Sequence, residues 1–152
     1  MARNRWSLST GSVALVAAVP KTVLQFQSPT AATLSVVQEV MVSFDGTSNT
    51  ATPATVQVLR KTAAATVTGV ARVKTRDTAT PLAADTAATG QDASAEGTDG
   101  AVLVTWFVHP QGGVLYQVPL DGEIEVPGSG ILAVKVTAPA AVNCRAVMRG
   151  ED

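Results

Sequence analysis

The chain has 152 residues with one cysteine, one histidine and nearly balanced charge, 11 Lys and Arg against 12 Asp and Glu. That length suits one domain burying about 68–70% of its unfolded surface, and a single cysteine excludes an intramolecular disulfide or zinc-finger spacing. Balanced charge supplies no field to draw in nucleic acid or an acidic membrane, so neither is an expected partner.

Charged residues make up only 15% of the chain, where about 25% is usual, and Ala, Thr and Val take their place. A surface of small, weakly polar residues suits coverage by neighbouring copies.

In chain order, residues 1–11 read as an N-terminal arm carrying Arg3, Arg5 and Trp6 among polar spacers. Termini order only when something holds them, so Trp6 packs either on its own domain or on a partner. Arg3 and Arg5 beside it suit a partner's carboxylate. The basic start followed by the apolar run 13–19 imitates a signal peptide. Polar residues between Trp6 and Val13 interrupt it and Pro20-Lys21 closes it, so a strand is expected. No stretch approaches the roughly 18 apolar residues of a membrane span.

A single β-sandwich domain is expected over 12–150. Residues 13–17 and 22–26 read as short strands, and 34–44 as a longer half-buried one. There Leu34, Val36, Val40, Val42 and Phe44 share one parity, with Ser35, Glu39 and Ser43 on the other. Asp45-Gly46 tolerates a tight turn, which predicts that 55–59 lies antiparallel to that strand. Residues 66–74 read as a further strand. The Thr-, Ala-, Asp- and Gly-rich stretch 75–100 reads as a long loop, or as an excursion hiding a weak strand at 86–95 that packs on another subunit.

Residues 102–108 are apolar on both parities, which predicts a central strand. His109-Pro110-Gln111-Gly112-Gly113 turns the chain into 114–118, and a strand over 123–126 turns Ile124 and Val126 inward. Pro127-Gly128-Ser129-Gly130 is a turn before strands at 131–137 and 142–148, the latter burying Cys144 as a small hydrophobe. About eight to ten strands, regularly spaced turn signals and no apolar helical stripe give an all-β fold. An antiparallel β-sandwich, jelly-roll-like, is expected.

Chemistry-bearing patterns are sparse. His109 has no sequence-adjacent nucleophile or ligand, and Ser129 lacks a nucleophile-elbow context. Glu123 and Glu125 share a strand face but read as solvated, and the spacing of Asp77, Asp85, Asp92 and Asp99 is not that of a calcium loop. No catalytic residue, metal ligand or cofactor is expected.

Several blocks in order carry a resemblance. They are 12–18 with 21–25, Val42-Ser43-Phe44-Asp45-Gly46-Thr47-Ser48, Val108-His109-Pro110-Gln111-Gly112-Gly113, and Glu125-Val126-Pro127-Gly128 with Val136-Thr137-Ala138-Pro139. Together they resemble a family of small structural proteins of tailed bacteriophages of actinobacteria, the capsid decoration or minor capsid proteins. The resemblance implies a β-sandwich or jelly-roll unit on the outer surface of the virion head. It further implies the major capsid protein as partner, a homo-oligomer, often a trimer, and no enzymatic role. Within that reading Arg3, Arg5 and Trp6 are the expected capsid anchors, and Trp106, Phe107, His109 and Tyr116 the expected subunit contact. A head-fibre or glycan-binding β-sandwich is the alternative, against which stands the near absence of aromatic residues in the loops.

Overall fold

A two-residue alternation of apolar and polar side chains runs through most of the chain, and it yields thirteen strands among the described residues. The computed structural model describes residues 4–46, 52–76, 80–119 and 121–152. In chain order the strands are β1 (Arg5–Ser9), β2 (Val13–Leu15), β3 (Lys21–Gln27), β4 (Ser35–Phe44), β5 (Ala54–Ala63), β6 (Thr66–Gly69), β7 (Val73–Lys74), β8 (Gly90–Ala95), β9 (Thr98–Val108), β10 (Gly113–Gln117), β11 (Ile124–Val126), β12 (Ile131–Thr137) and β13 (Val142–Glu151).

They form two antiparallel sheets packed face to face. The first runs β10-β4-β13-β1-β7, with β11 continuing beside β4 and β2 beside β13; the second runs β6-β8-β3-β12-β5-β9. Of the two expectations, β-sandwich and jelly roll, the strand orders establish the first. The strand number exceeds the expected eight to ten because the expected arm contains β1, the expected loop contains β8, and the strand expected over 66–74 is divided into β6 and β7. Between the sheets Trp6, Leu8, Leu24, Phe26, Leu132 and Met148 are fully buried, each large aliphatic or aromatic side chain contributing about 1.5–3 kcal/mol on burial.

The expected arm is part of this core. Arg5–Ser9 pairs along β13 with Trp6 opposite Gly150 and Leu8 opposite Met148. Its alternation puts Trp6 and Leu8 inside, with Arg5 and Ser9 outside. Trp6 is therefore withdrawn as a capsid anchor: no part of it reaches solvent. Gly150 makes room for it, because a Cβ there would strike the Val36 carbonyl oxygen and press on the indole ring. At the same point the β13–β4 register slips past Gln38 and the parity of β4 inverts: Ser35 and Val37 face the core, while Leu34 and Val36, expected on the core face, lie on the outer side with Glu123 and Glu125.

Asp45-Gly46 does not make a hairpin. The Asp45 carboxylate accepts from the backbone and side-chain N–H groups of Asn143, each at 3.0 Å. The Gly46 N–H donates to the Pro110 carbonyl. Strand 35–44 is thus tied off against β13 and the 109–112 turn, and the chain crosses to the other sheet, where β5 lies between β12 and β9. Part of that crossing, residues 47–51, lies outside the described residues, as do 77–79 and 120.

Residues 66–74 split into β6 and β7 in opposite sheets. The expected long loop 75–100 contains β8, which pairs with β3 and β6 of the same chain rather than with another subunit. Polar side chains of β3 hold this region down. Buried Gln25 donates to the Ala65 and Ala88 carbonyls and accepts from the Ala65 N–H, so a buried amide is satisfied by three backbone groups. The segment 102–108, expected to be a central strand, lies in β9, the last strand of its sheet, which pairs only with β5 among the described residues.

Candidate functional site: an open apolar flank

Strands β9 and β10 end their respective sheets at the same side of the sandwich and are joined by the 109–112 turn. Trp106 lies opposite Val56 and Tyr116 opposite Val40, which turns both rings inward. They meet at 5.2 Å between centroids, tilted by 55°, and close the gap between the sheets. The next residues along each strand must point outward. Phe107 is 74% exposed beside Thr55, and Leu115 is 54% exposed beside Met41. Val102 and Leu103, 49% and 41% exposed, extend the apolar run along β9.

The backbone of β9 is fixed at both ends. At its start the fully buried Lys61 side chain donates to Asp99 at 2.8 Å and to Glu96 at 3.4 Å, and Lys135 reaches Asp99 at 2.5 Å. Glu96 also accepts from the backbone N–H and hydroxyl of Thr22. Two lysines and two carboxylates thus neutralise one another over the second sheet, as partly buried charges require. Within this region the β5–β9 register slips three times, whereas from Val104 to Val108 it is regular. At its end, Gly112 N–H donates to the His109 carbonyl and Gln111 N–H to His109 Nδ1 at 3.2 Å.

Burial alone pushes the Asp99 carboxyl up, but hydrogen bonds from Lys135 and Lys61 and the charges of both outweigh it, so its pKa lies below the ordinary 3.8. A carboxyl depressed on folding contributes stability that is full above its unfolded pKa and lost as pH falls through the folded one. Asp99→Asn should therefore melt below wild type at neutral pH, with the gap closing in a titration from about pH 6 to pH 2. A gap that persists unchanged into acid would show that the cluster does not act through charge.

Of the expected contact residues, Phe107 and His109 are exposed, while Trp106 and Tyr116 are half-buried against the core. The structure brings all four to one flank. Sequence reasoning missed Val102, Leu103 and Leu115. A signal was present: residues 102–108 are apolar on both parities, and so are 114–116, which describes an uncovered edge as well as a covered centre.

Of the expected anchors, Arg3 lies outside the described residues. Arg5 projects half-exposed from β1, its Nε 3.6 Å from Glu151. It borders an open groove of about 750 Å³ with Ser7, Gln38, Glu39, Gln117 and Arg149, in which Arg149 pairs with Glu39 at 2.9 Å. The aspartates weighed for calcium are dispersed: Asp85 pairs with Arg72, Asp92 with Lys21 and Asp99 with the two lysines, and Asp77 is outside the described residues. Cys144 is buried, and burial pushes its thiol up to about 12, the setting of an inert core cysteine.

Fold and flank together define an antiparallel β-sandwich with one open, uncharged, apolar edge. No family model matches the chain, and no curated protein or solved structure matches it.

Proposed function

We propose that this chain is a structural virion protein. In this reading it is a capsid decoration protein that binds the outside of a phage head as a homo-oligomer and stabilises contacts between major capsid subunits. It would be made in the host cytoplasm and act without a cofactor. The observation that carries the reading is the open flank, where a long edge strand presents Val102, Leu103 and Phe107 with no strand on its outer side among the described residues. A monomer that had to stay dispersed would blunt such an edge with charge or proline. The ordered sequence blocks that resemble phage decoration proteins supply the particular assembly. Binding to the assembled shell alone would stabilise it by mass action, about 2.7 kcal/mol per site at a concentration 100 times Kd.

With Trp6 in the core, Arg5 is the described residue left to contact the shell. Undecorated shells of the actinobacterial phage whose genome carries this sequence should pellet wild-type protein. Arg5→Glu should weaken that binding about tenfold, a loss of about 1.4 kcal/mol. Full-length protein that stays in the supernatant would sink the reading, and binding to immobilised host glycans instead would move it to the head-fibre alternative. The comparison must use point variants. Removing residues 1–11 takes away β1 and tests folding rather than docking.

A further inference from the structure

We infer that two copies of this chain pair through β9, antiparallel and related by a two-fold axis at Thr105, joining their second sheets into one. The inference rests on the reading of the flank as an assembly surface and names its occupant.

Three observations lead there. First, one side of β9 meets β5, and no strand among the described residues meets the other. Its outward N–H and C=O groups are therefore a template for another strand. Second, residues 100–108 contain no charge, and the neighbouring outer residues of β5, Thr55 and Gln57, contain none either. An acidic or basic partner would lose hydration there and find no counter-ion, whereas a second copy of the same edge brings no charge at all. Third, the edge complements itself. With Thr105 opposite the partner's Thr105, Trp106 faces the partner's Val104 and Phe107 faces the partner's Leu103. Directly opposed aromatic and aliphatic residues are the pairs that stabilise antiparallel strands. The regular stretch from Val104 to Val108 provides straight backbone for the pairs at the axis, Leu103 is the residue at which the β5–β9 register first slips, and the Lys61, Glu96, Asp99 and Lys135 cluster keeps the irregular start of the strand against its own sheet. A trimer, which the sequence resemblance implies, would require β9 to meet a different surface of its neighbour. A two-fold pair requires only itself.

The axis makes a sharp demand at one residue. Thr105 is exposed on an edge strand, and opposite Cβ atoms across an antiparallel pair lie about 4.5–5.5 Å apart, close to disulfide reach. Wild-type protein should sediment at twice the chain mass. Thr105→Cys should form a covalent dimer under mild oxidation. Ala101→Cys, displaced from the axis, should not, and wild type should not, because its one thiol is buried. Leu103→Lys with Phe107→Lys, both at exposed positions, should sediment as a single chain with an unchanged β-type circular dichroism spectrum. A wild-type monomer or trimer, a dimer that survives the double lysine variant, or a Thr105→Cys protein that does not cross-link overturns the pairing. Shell binding separates this from the functional reading: a dimer that ignores shells sinks decoration and keeps the pairing, and a monomer that binds shells does the reverse.

Discussion

Replacing Arg72 with alanine is expected to cost about 3–5 kcal/mol, a large share of the roughly 5–15 kcal/mol that holds a domain folded. Its side chain is wholly buried. It donates to Asp85 at 2.5 Å, to Asp152 at 2.6 Å and to the Ala83 carbonyl at 2.9 Å, and its backbone N–H donates to the second Asp85 oxygen at 2.8 Å. The guanidinium also lies 5.3 Å from the Trp6 ring centroid and 5.2 Å from that of Phe26, a cation over two aromatic faces. Most of the cost comes from what stays behind, because two largely buried carboxylates lose their cation. Arg72→Met keeps much of the volume and should be nearly as damaging as Arg72→Ala. Adding Asp85→Asn and Asp152→Asn to Arg72→Met should recover part of the loss by removing the stranded charges. Urea unfolding of the four proteins decides it. A loss under about 1 kcal/mol for Arg72→Met would mean that the network is incidental.

Nothing local in the sequence announces that network. Arg72 sits in a Thr- and Ala-rich stretch, 13 residues from Asp85 and 80 from Asp152, and charge spacing is informative only when an element brings neighbours together. The same holds for Lys61 with Glu96 and Asp99. Periodicity reports which side chains face inward, so the inward residues Val40 and Val42 of β4, Leu132, Val134 and Val136 of β12, and Ala146 and Met148 of β13 were legible. It does not report which sheet a strand joins. The hairpin expected after Asp45 is absent for that reason: turn chemistry marks the end of a strand and says nothing of which strand lies beside it. In the turn at 127–130, Ser129 rather than a glycine takes the positive φ of 62°. Gly128 is needed where a Cβ would collide with the Ala31 carbonyl. Residues 102–108, expected at the centre of a sheet, lie at an edge for a different reason. A strand apolar on both faces belongs either in the middle of a sheet or at an edge that another molecule covers, and composition does not distinguish the two.

Trp6→Ala should lose about 3–5 kcal/mol, and it tests the boundary between arm and domain directly. The alternation Trp6, Leu8 against Arg5, Ser7, Ser9 is that of a half-buried strand, although its position near the start of the chain suggested an arm. In the fold its indole packs against Phe26 at 4.6 Å between centroids, tilted by 37°, and donates to Asp152 at 3.1 Å. The same Asp152 oxygen accepts from Ser35 at 2.7 Å. Trp6 thus joins β1, β3, β4 and the end of β13 in one contact, and an empty site there cannot collapse without moving both sheets. Trp6→Phe separates the two contributions. It keeps most of the ring and loses the donor to a charged acceptor, so it should cost about 1.5–3 kcal/mol. The denaturant slope should stay at the wild-type value in both variants if the native surface is unchanged. An arm docked on a partner behaves otherwise: free Trp6→Ala would unfold within about 0.5 kcal/mol of wild type, as a surface substitution does, and only binding to the shell would suffer. A chain lacking residues 1–11 should follow the core outcome, failing to fold because β13 is left without the strand that pairs with it from Val147 to Glu151.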